Sequence, residues 1–393
     1  MYQKSDIIKS ESKKINIFLI LFLIPIFSAN SGMANEVYFI LAPLILLWVY
    51  LFRPYIPNFS KDYAFIFLVM IALFSLYVDF NAGLVTSLES LKKTDTWPMM
   101  LSVLICFQVA IMRINFVSFI IAMFIGLLVF YASHFLLIST GSMELSALLN
   151  NTGASFIYAA GSLMLLMSGK RLLSLLLLLL TIGLYTRGIA LAGIIAFLLY
   201  LYITYIGGRI ASTSWLTPKR IVIIVIASVF FVEIFLGLTY YLDKGSVIHD
   251  LTSGRSFYYS IILIDWLNTG LNVFLPVSSV FSSDILTEIT LWAENDQGDL
   301  LYGVAQCPHS LTIELVVDYG IFAFTIFIIG FIVSAHRLSI IAVLFFLLQA
   351  SFSCENFAPM YYVTFYIMYR ILLSEEWRFI LPQNKVKSIN LIH

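Results

Sequence analysis

Apolar side chains run along the chain in long blocks separated by short polar breaks. The blocks fall near residues 15–30, 37–52, 63–79, 97–112, 116–138, 154–168, 172–185, 189–207, 220–242, 310–334, 338–353 and 359–373, twelve in all. A helix crossing a hydrocarbon core needs ~20 apolar residues, so the blocks predict successive membrane spans, the shorter ones with loosely set ends. The stretch from Leu172 to Ile206, about 35 residues, is too long for one crossing. Thr186-Arg187-Gly188 interrupts it with a charge and a helix breaker, which predicts a hairpin turn. The first block lacks a small-x-small cleavage site and opens a regular series, so it is expected to be a span and not a removed leader.

Composition sharpens this picture. Hydrophobic residues make up 61% and charged residues 11% of the 393 positions, against about 45–50% and about 25% in soluble chains. That surplus must face lipid. It excludes a secreted disulfide scaffold, a disordered chain and a nucleic-acid-binding domain. The expected fold is all-α: a polytopic membrane protein of about 12 transmembrane helices, forming a single integral membrane domain over residues 1–393. Cys106, Cys307 and Cys354 show no CxxC spacing; Cys106 reads as filler in an apolar run, and a Cys307–Cys354 disulfide is left open.

The 22 Lys and Arg balance the 22 Asp and Glu, so net charge is silent. Their distribution is not, because translocating cations is disfavoured. With the N-terminus placed in the cytoplasm, 17 cations fall on the cytoplasmic side. The other 5, Lys92, Lys93, Arg187, Lys244 and Arg255, fall outside. This predicts cytoplasmic termini and puts the longest connection, residues 243–309, on the outer side, with short helices within it.

That outer loop carries Asp243, His249, Asp250, Arg255, Asp265, Asp284, Glu288, Glu294, Asp296, Asp299 and His309. Within it, Phe257–Leu271 places Ile261, Ile264, Leu267 and Leu271 at helical intervals with Trp266, the pattern of an amphipathic helix lying on the membrane surface. Arg187 sits between two apolar blocks, where a charge is costly unless it snorkels or has a partner. It reads either as a snorkelling turn residue or as an anion site, since the guanidinium fork suits bidentate phosphate binding. Arg255 is the only Arg in the outer loop, either a solvated cation or a second phosphate clamp. His309 lies at the outer boundary of the tenth block, as a structural residue or an acid/base group; His134 and His249 lack a comparable setting, and His336 beside Arg337 reads as a loop end. Glu233 lies inside the ninth block, either as a functional charge in lipid or as a purely structural residue paired with another helix. Glu355 is also outer. The acids Glu288, Glu294, Asp296 and Asp299 read as a solvated loop or as a group that binds sugar hydroxyls. No P-loop, HExxH or GxSxG motif is present.

Three segments carry a resemblance: Thr186-Arg187-Gly188-Ile189-Ala190-Leu191-Ala192; Gly254-Arg255 with the aromatic stretch through Trp266 to Gly270; and Pro308-His309-Ser310 through Glu314, followed by Tyr319-Gly320-Ile321. In order, spacing and common side they resemble the O-antigen ligases and O-antigen polymerases of Gram-negative bacteria. The family's Asn after the His is Ser310 here. The resemblance implies glycosyl transfer at the periplasmic face of the inner membrane, from a glycan on undecaprenyl diphosphate. The acceptor would be lipid A-core for a ligase or a lipid-linked repeat for a polymerase. It implies no nucleotide sugar, metal or other cofactor. The catalytic set would be His309, Arg187 and Arg255, with Arg187, Arg255 and Glu314 binding substrate. Asn151-Thr152-Gly153-Ala154 and the single dominant outer loop are closer to ligases. A multispan transporter or flippase is the alternative from another class.

Overall fold

A computed structural model describes residues 15–28, 62–92, 94, 96–112, 114–141, 152–183, 187–202, 217–242, 255–268, 270–274, 310–336, 338–351 and 359–380. Every regular element among them is helical. In chain order they are α1 (Ile17–Phe27), α2 (Tyr63–Asn81), α3 (Leu88–Leu91), α4 (Thr96–Ile111), α5 (Phe116–Ser139), α6 (Thr152–Met167) and α7 (Arg171–Gly183). Then come α8 (Arg187–Leu201), α9 (Pro218–Leu242), α10 (Arg255–Asn268), a 3-10 turn (Gly270–Val273), α11 (Leu311–Ser334), α12 (Ile340–Ala350) and α13 (Pro359–Ile380). Each apolar block coincides with one of these helices except 37–52, which lies outside the described residues.

The helices have the lengths and surfaces of a membrane protein. Stretches in α2, α5, α9 and α11 are long and apolar enough to cross a bilayer. Large apolar side chains point outward along them, such as Leu73 and Phe80 on α2 and Phe231 and Phe235 on α9. With no water at membrane depth, each backbone amide must find its partner within the helix. The remaining apolar helices are shorter. All 11 residues of α12 are buried; at ~1.5 Å per residue it is about 16 Å long, roughly half a hydrocarbon core. It forms the centre of the bundle, packed against α8, α9, α11 and α13.

Helix starts are fixed by polar caps, as the free N–H groups of a first turn require. The side chains of Asn16, Asp62 and Asn115 accept from Leu19 N, Phe65 N and Ser118 N. Small residues let helices close in. A Cβ at Gly126 would overlap Phe27 Cβ, and one at Gly330 would overlap the Phe67 ring, so α1–α5 and α2–α11 pack more closely than larger residues allow.

Cross-helix contacts define two ends of the bundle. At the first, Asn16 N donates to Ser118 Oγ at 2.8 Å and Asn16 Nδ2 donates to Met112 O at 2.6 Å. Arg370 Nη1 and Tyr366 OH both donate to Asp62 Oδ2 at 2.7 Å. Phe65 joins the two groups through Phe107 and Tyr366. At the opposite end, the C-terminal part of α2 meets the start of α4 and the first part of α11. α1, α2 and α5 start at the first end, and α4 and α13 run towards it.

One feature departs from the sequence pattern: the block 310–334 is not one continuous helix. Gly320 adopts φ 78° and ψ 168°, a conformation essentially restricted to glycine, and divides α11 into a nine-residue first part and Ile321–Ser334. The amphipathic helix is present as α10: Tyr259, Ile262 and Trp266 face the protein, and Ile264 and Leu267 are exposed. The reason is Gly237 in α9: a Cβ there would stand 3.3 Å from the Tyr259 carbonyl carbon, so α10 docks on α9 through the turn at Tyr259. The proposed hairpin is present in outline, since α7 ends at Gly183 and α8 begins at Arg187. Cys106 is fully buried among helices; Cys307 and Cys354 lie outside the described residues.

Candidate functional site

The first part of α11 is lined with polar residues held inside the protein. Ser310 is its N-cap, with extended backbone (φ −152°, ψ 115°), and its Oγ accepts from Ile313 N at 3.2 Å. The same hydroxyl donates to Glu233 Oε1 at 2.5 Å, and Thr312 Oγ1 donates to Glu233 Oε2 at 2.5 Å. The two hydroxyl oxygens are 2.8 Å apart. Glu233, 4% exposed, therefore does pair with another helix, and it uses both oxygens on one turn of α11.

Glu314 and Asp318 follow Ser310 at intervals of four, so they lie on one face of α11, and both are buried. On an adjacent face Tyr319 OH is 3.0 Å from Ser75 Oγ. Ser75 Oγ is 2.5 Å from Thr96 Oγ1, which donates to Asp79 Oδ2 at 2.5 Å. Asp79, Ser75 and Thr96 are fully buried. This chain of oxygens ties α2, α4 and α11 together immediately before the break at Gly320. A cleft beside it, of about 70 Å³, is lined by Met70, Ile71, Phe74, Leu315, Tyr319, Ala323 and Ile326.

The structure places the predicted site residues as follows. Glu314 is buried in α11, one turn past the Glu233 clamp. Arg187 and Arg255 are the first residues of α8 and α10; their side chains lie outside the described residues, as does His309 entirely. α8 begins at the same end as the polar part of α11. It packs on α6 (Gly193 near Ala159), and α6 in turn meets the start of α13 through Phe156 and Tyr361. α10 packs on α9 one turn beyond Glu233, at Gly237. The starts of three helices, carrying Arg187, Arg255 and Glu314, thus share the Glu233 end of the bundle. Glu288, Glu294, Asp296, Asp299, Glu355 and His249 are outside the described residues. His134 bonds locally, its Nδ1 2.9 Å from Phe130 O.

Asp79, Thr96, Ser75, Asp318 and Tyr319 are absent from the sequence-derived set. Asp79 had a signal, a carboxylate closing an apolar block, but it reads equally well as the first residue of a loop. Among the described residues no group of three or more His, Cys, Asp or Glu is placed to hold a metal ion. No family model, curated protein or solved structure matches the chain.

Proposed function

We propose that the chain is a membrane glycosyltransferase moving an O-antigen or related glycan from undecaprenyl diphosphate to lipid A-core. The observation that supports this reading is that α8, α10 and α11 start at the same end of an apolar bundle, the end that holds buried Glu233, Glu314 and Asp318. The end that holds Lys170, Arg171, Lys219, Arg220 and Arg370 is then cytoplasmic by the positive-inside rule, and the Glu233 end is periplasmic, in a bacterial inner membrane.

In this reading the acceptor hydroxyl oxygen attacks the anomeric carbon of the donor. The bond from that carbon to the diphosphate oxygen breaks, and the hydroxyl proton passes to His309 as general base. Arg187 and Arg255 hold the diphosphate and offset its growing negative charge. Glu314 orients sugar hydroxyls. Joining of lipid-linked repeats uses the same steps with a different acceptor. The test is transfer in vitro by purified protein given the lipid-linked glycan, with lipid A-core and a second lipid-linked repeat offered separately. Product on lipid A-core alone supports the ligase, and product on the repeat alone supports the polymerase. Absence of both products contradicts the proposal.

One observation favours a second reading. Broken helices with charges near the break are a device of transporters, and α11 is broken at Gly320 beside buried Asp318. A transporter would move the lipid-linked glycan across proteoliposome membranes and leave its glycosidic bond intact.

A further inference from the structure

We infer that Glu233 is a positioning residue for the glycosyl transfer proposed above, and the inference rests on that reading. A carboxylate in the run Phe230-Phe231-Val232-Glu233-Ile234-Phe235 is costly to insert in a membrane, and mutual packing of helices does not require one. What it supplies is definition. A single bond between two helices fixes a distance and leaves rotation free. Here both oxygens are engaged by Ser310 and Thr312, two residues apart on the first turn of α11. Rotation and axial position of that turn relative to α9 are therefore both fixed.

Ser310 has a second duty that makes the clamp matter. Its Oγ caps α11 by accepting from Ile313 N, so the bond to Glu233 ties the point where the chain enters the helix directly to α9. The preceding residue in the sequence is His309, and Glu314 follows one turn later. On the same helix, one turn beyond Glu233, Gly237 admits the α10 backbone, with Leu263 Cδ1 and the Tyr259 carbonyl carbon 3.1 and 3.3 Å from a Cβ placed there. α10 begins with Arg255. One turn of α9 thus sets the places of α10, inside the long outer connection, and of the start of α11, which follows it. Glu233 need not touch substrate; it acts through Ser310 and Thr312.

The test uses the full-length protein in nanodiscs, with undecaprenyl-diphosphate-linked glycan as donor and the acceptor that the wild type uses. Glu233→Gln keeps the shape but leaves one oxygen to accept, so kcat is expected to fall about ten-fold or more while the donor KM moves less than about three-fold. Ser310→Ala combined with Thr312→Ala is expected to lower kcat similarly. Adding Glu233→Gln to that pair should bring little further loss, because the groups act as one unit. Gly126→Ala, which strains the remote α1–α5 contact, serves as control: it should lower the unfolding temperature and spare kcat per folded molecule. Glu233→Gln with wild-type kcat overturns the inference, as do losses that multiply across the combined variant. A kcat that merely tracks unfolding temperature across all variants, the control included, also overturns it. If Glu233→Gln does not fold, the Ser310 and Thr312 single variants carry the same comparison. A wild type that transfers glycan to neither acceptor contradicts the glycosyltransferase reading itself, which separates the two failures.

Discussion

The two ends of the bundle hold their buried carboxylates in different ways. At one end Asp62 caps α2, accepts from Tyr366 and forms an ion pair with Arg370 at 2.7 Å. At the other, Glu233 and Asp79 receive hydroxyl donors from Ser310, Thr312 and Thr96. An Arg–carboxylate pair at the rim of a membrane protein is a lock. It joins two helix ends and neutralises a charge that would otherwise resist burial. A carboxylate met by hydroxyls also joins helices, and here it fixes the first turn of α11 on α9 and the start of α4 on α2. The difference separates an end closed by an ion pair from an end whose buried acids set the start of α11. The break in α11 at Gly320 lies at the second end.

Breaking the lock is expected to give the largest effect on stability. Arg370→Ala removes the counter-charge of Asp62, whose side chain is 1% exposed, and should destabilise the protein by about 3 kcal/mol or more. Thermal unfolding in detergent measures this, and glycan transfer per folded molecule should be unchanged. An equal loss of transfer would erase the proposed division between the ends. Next comes Gly320→Ala, which forces a Cβ onto φ 78° and should cost about 1–3 kcal/mol. Here transfer should fall as well, because the break adjoins Asp318 and Tyr319. A smaller effect is expected from Thr96→Val. It removes the hydroxyl between Ser75 and Asp79 and should cost about 1–2 kcal/mol, read as a lower unfolding temperature and partial loss of transfer.

The sequence discloses the frame and conceals the joints. Apolar blocks such as 63–79 and 116–138 match α2 and α5 to within two residues at each end, because every buried or lipid-facing position in a membrane helix favours the same residue types. Gly320 carried no warning for that reason: glycine is common in membrane helices, and only the φ it adopts marks the break. α10 is legible as a helix; which of its stripes meets the protein is not. Tyr259, Ile262 and Trp266 compete with Ile261, Ile264 and Leu267 as apolar stripes, and Gly237 on another helix decides between them. Glu233 stood out as a charge in an apolar run. Its partners did not, since Ser310 reads as a local cap and Thr312 as an ordinary first-turn residue. Pairings such as Asp79 with Thr96 depend on which helices become neighbours, and no local pattern encodes that.

The central claim is that the Glu233 end carries out glycan transfer while the Arg370 end only holds the fold. Its most direct test is the initial rate of glycan transfer to lipid A-core by purified wild type, Arg187→Ala and Arg370→Ala, each normalised to folded protein. Arg187→Ala is expected to lose about a hundred-fold or more, and Arg370→Ala to keep a near-normal rate. Transfer that survives Arg187→Ala intact, or that falls equally in both variants, would contradict it.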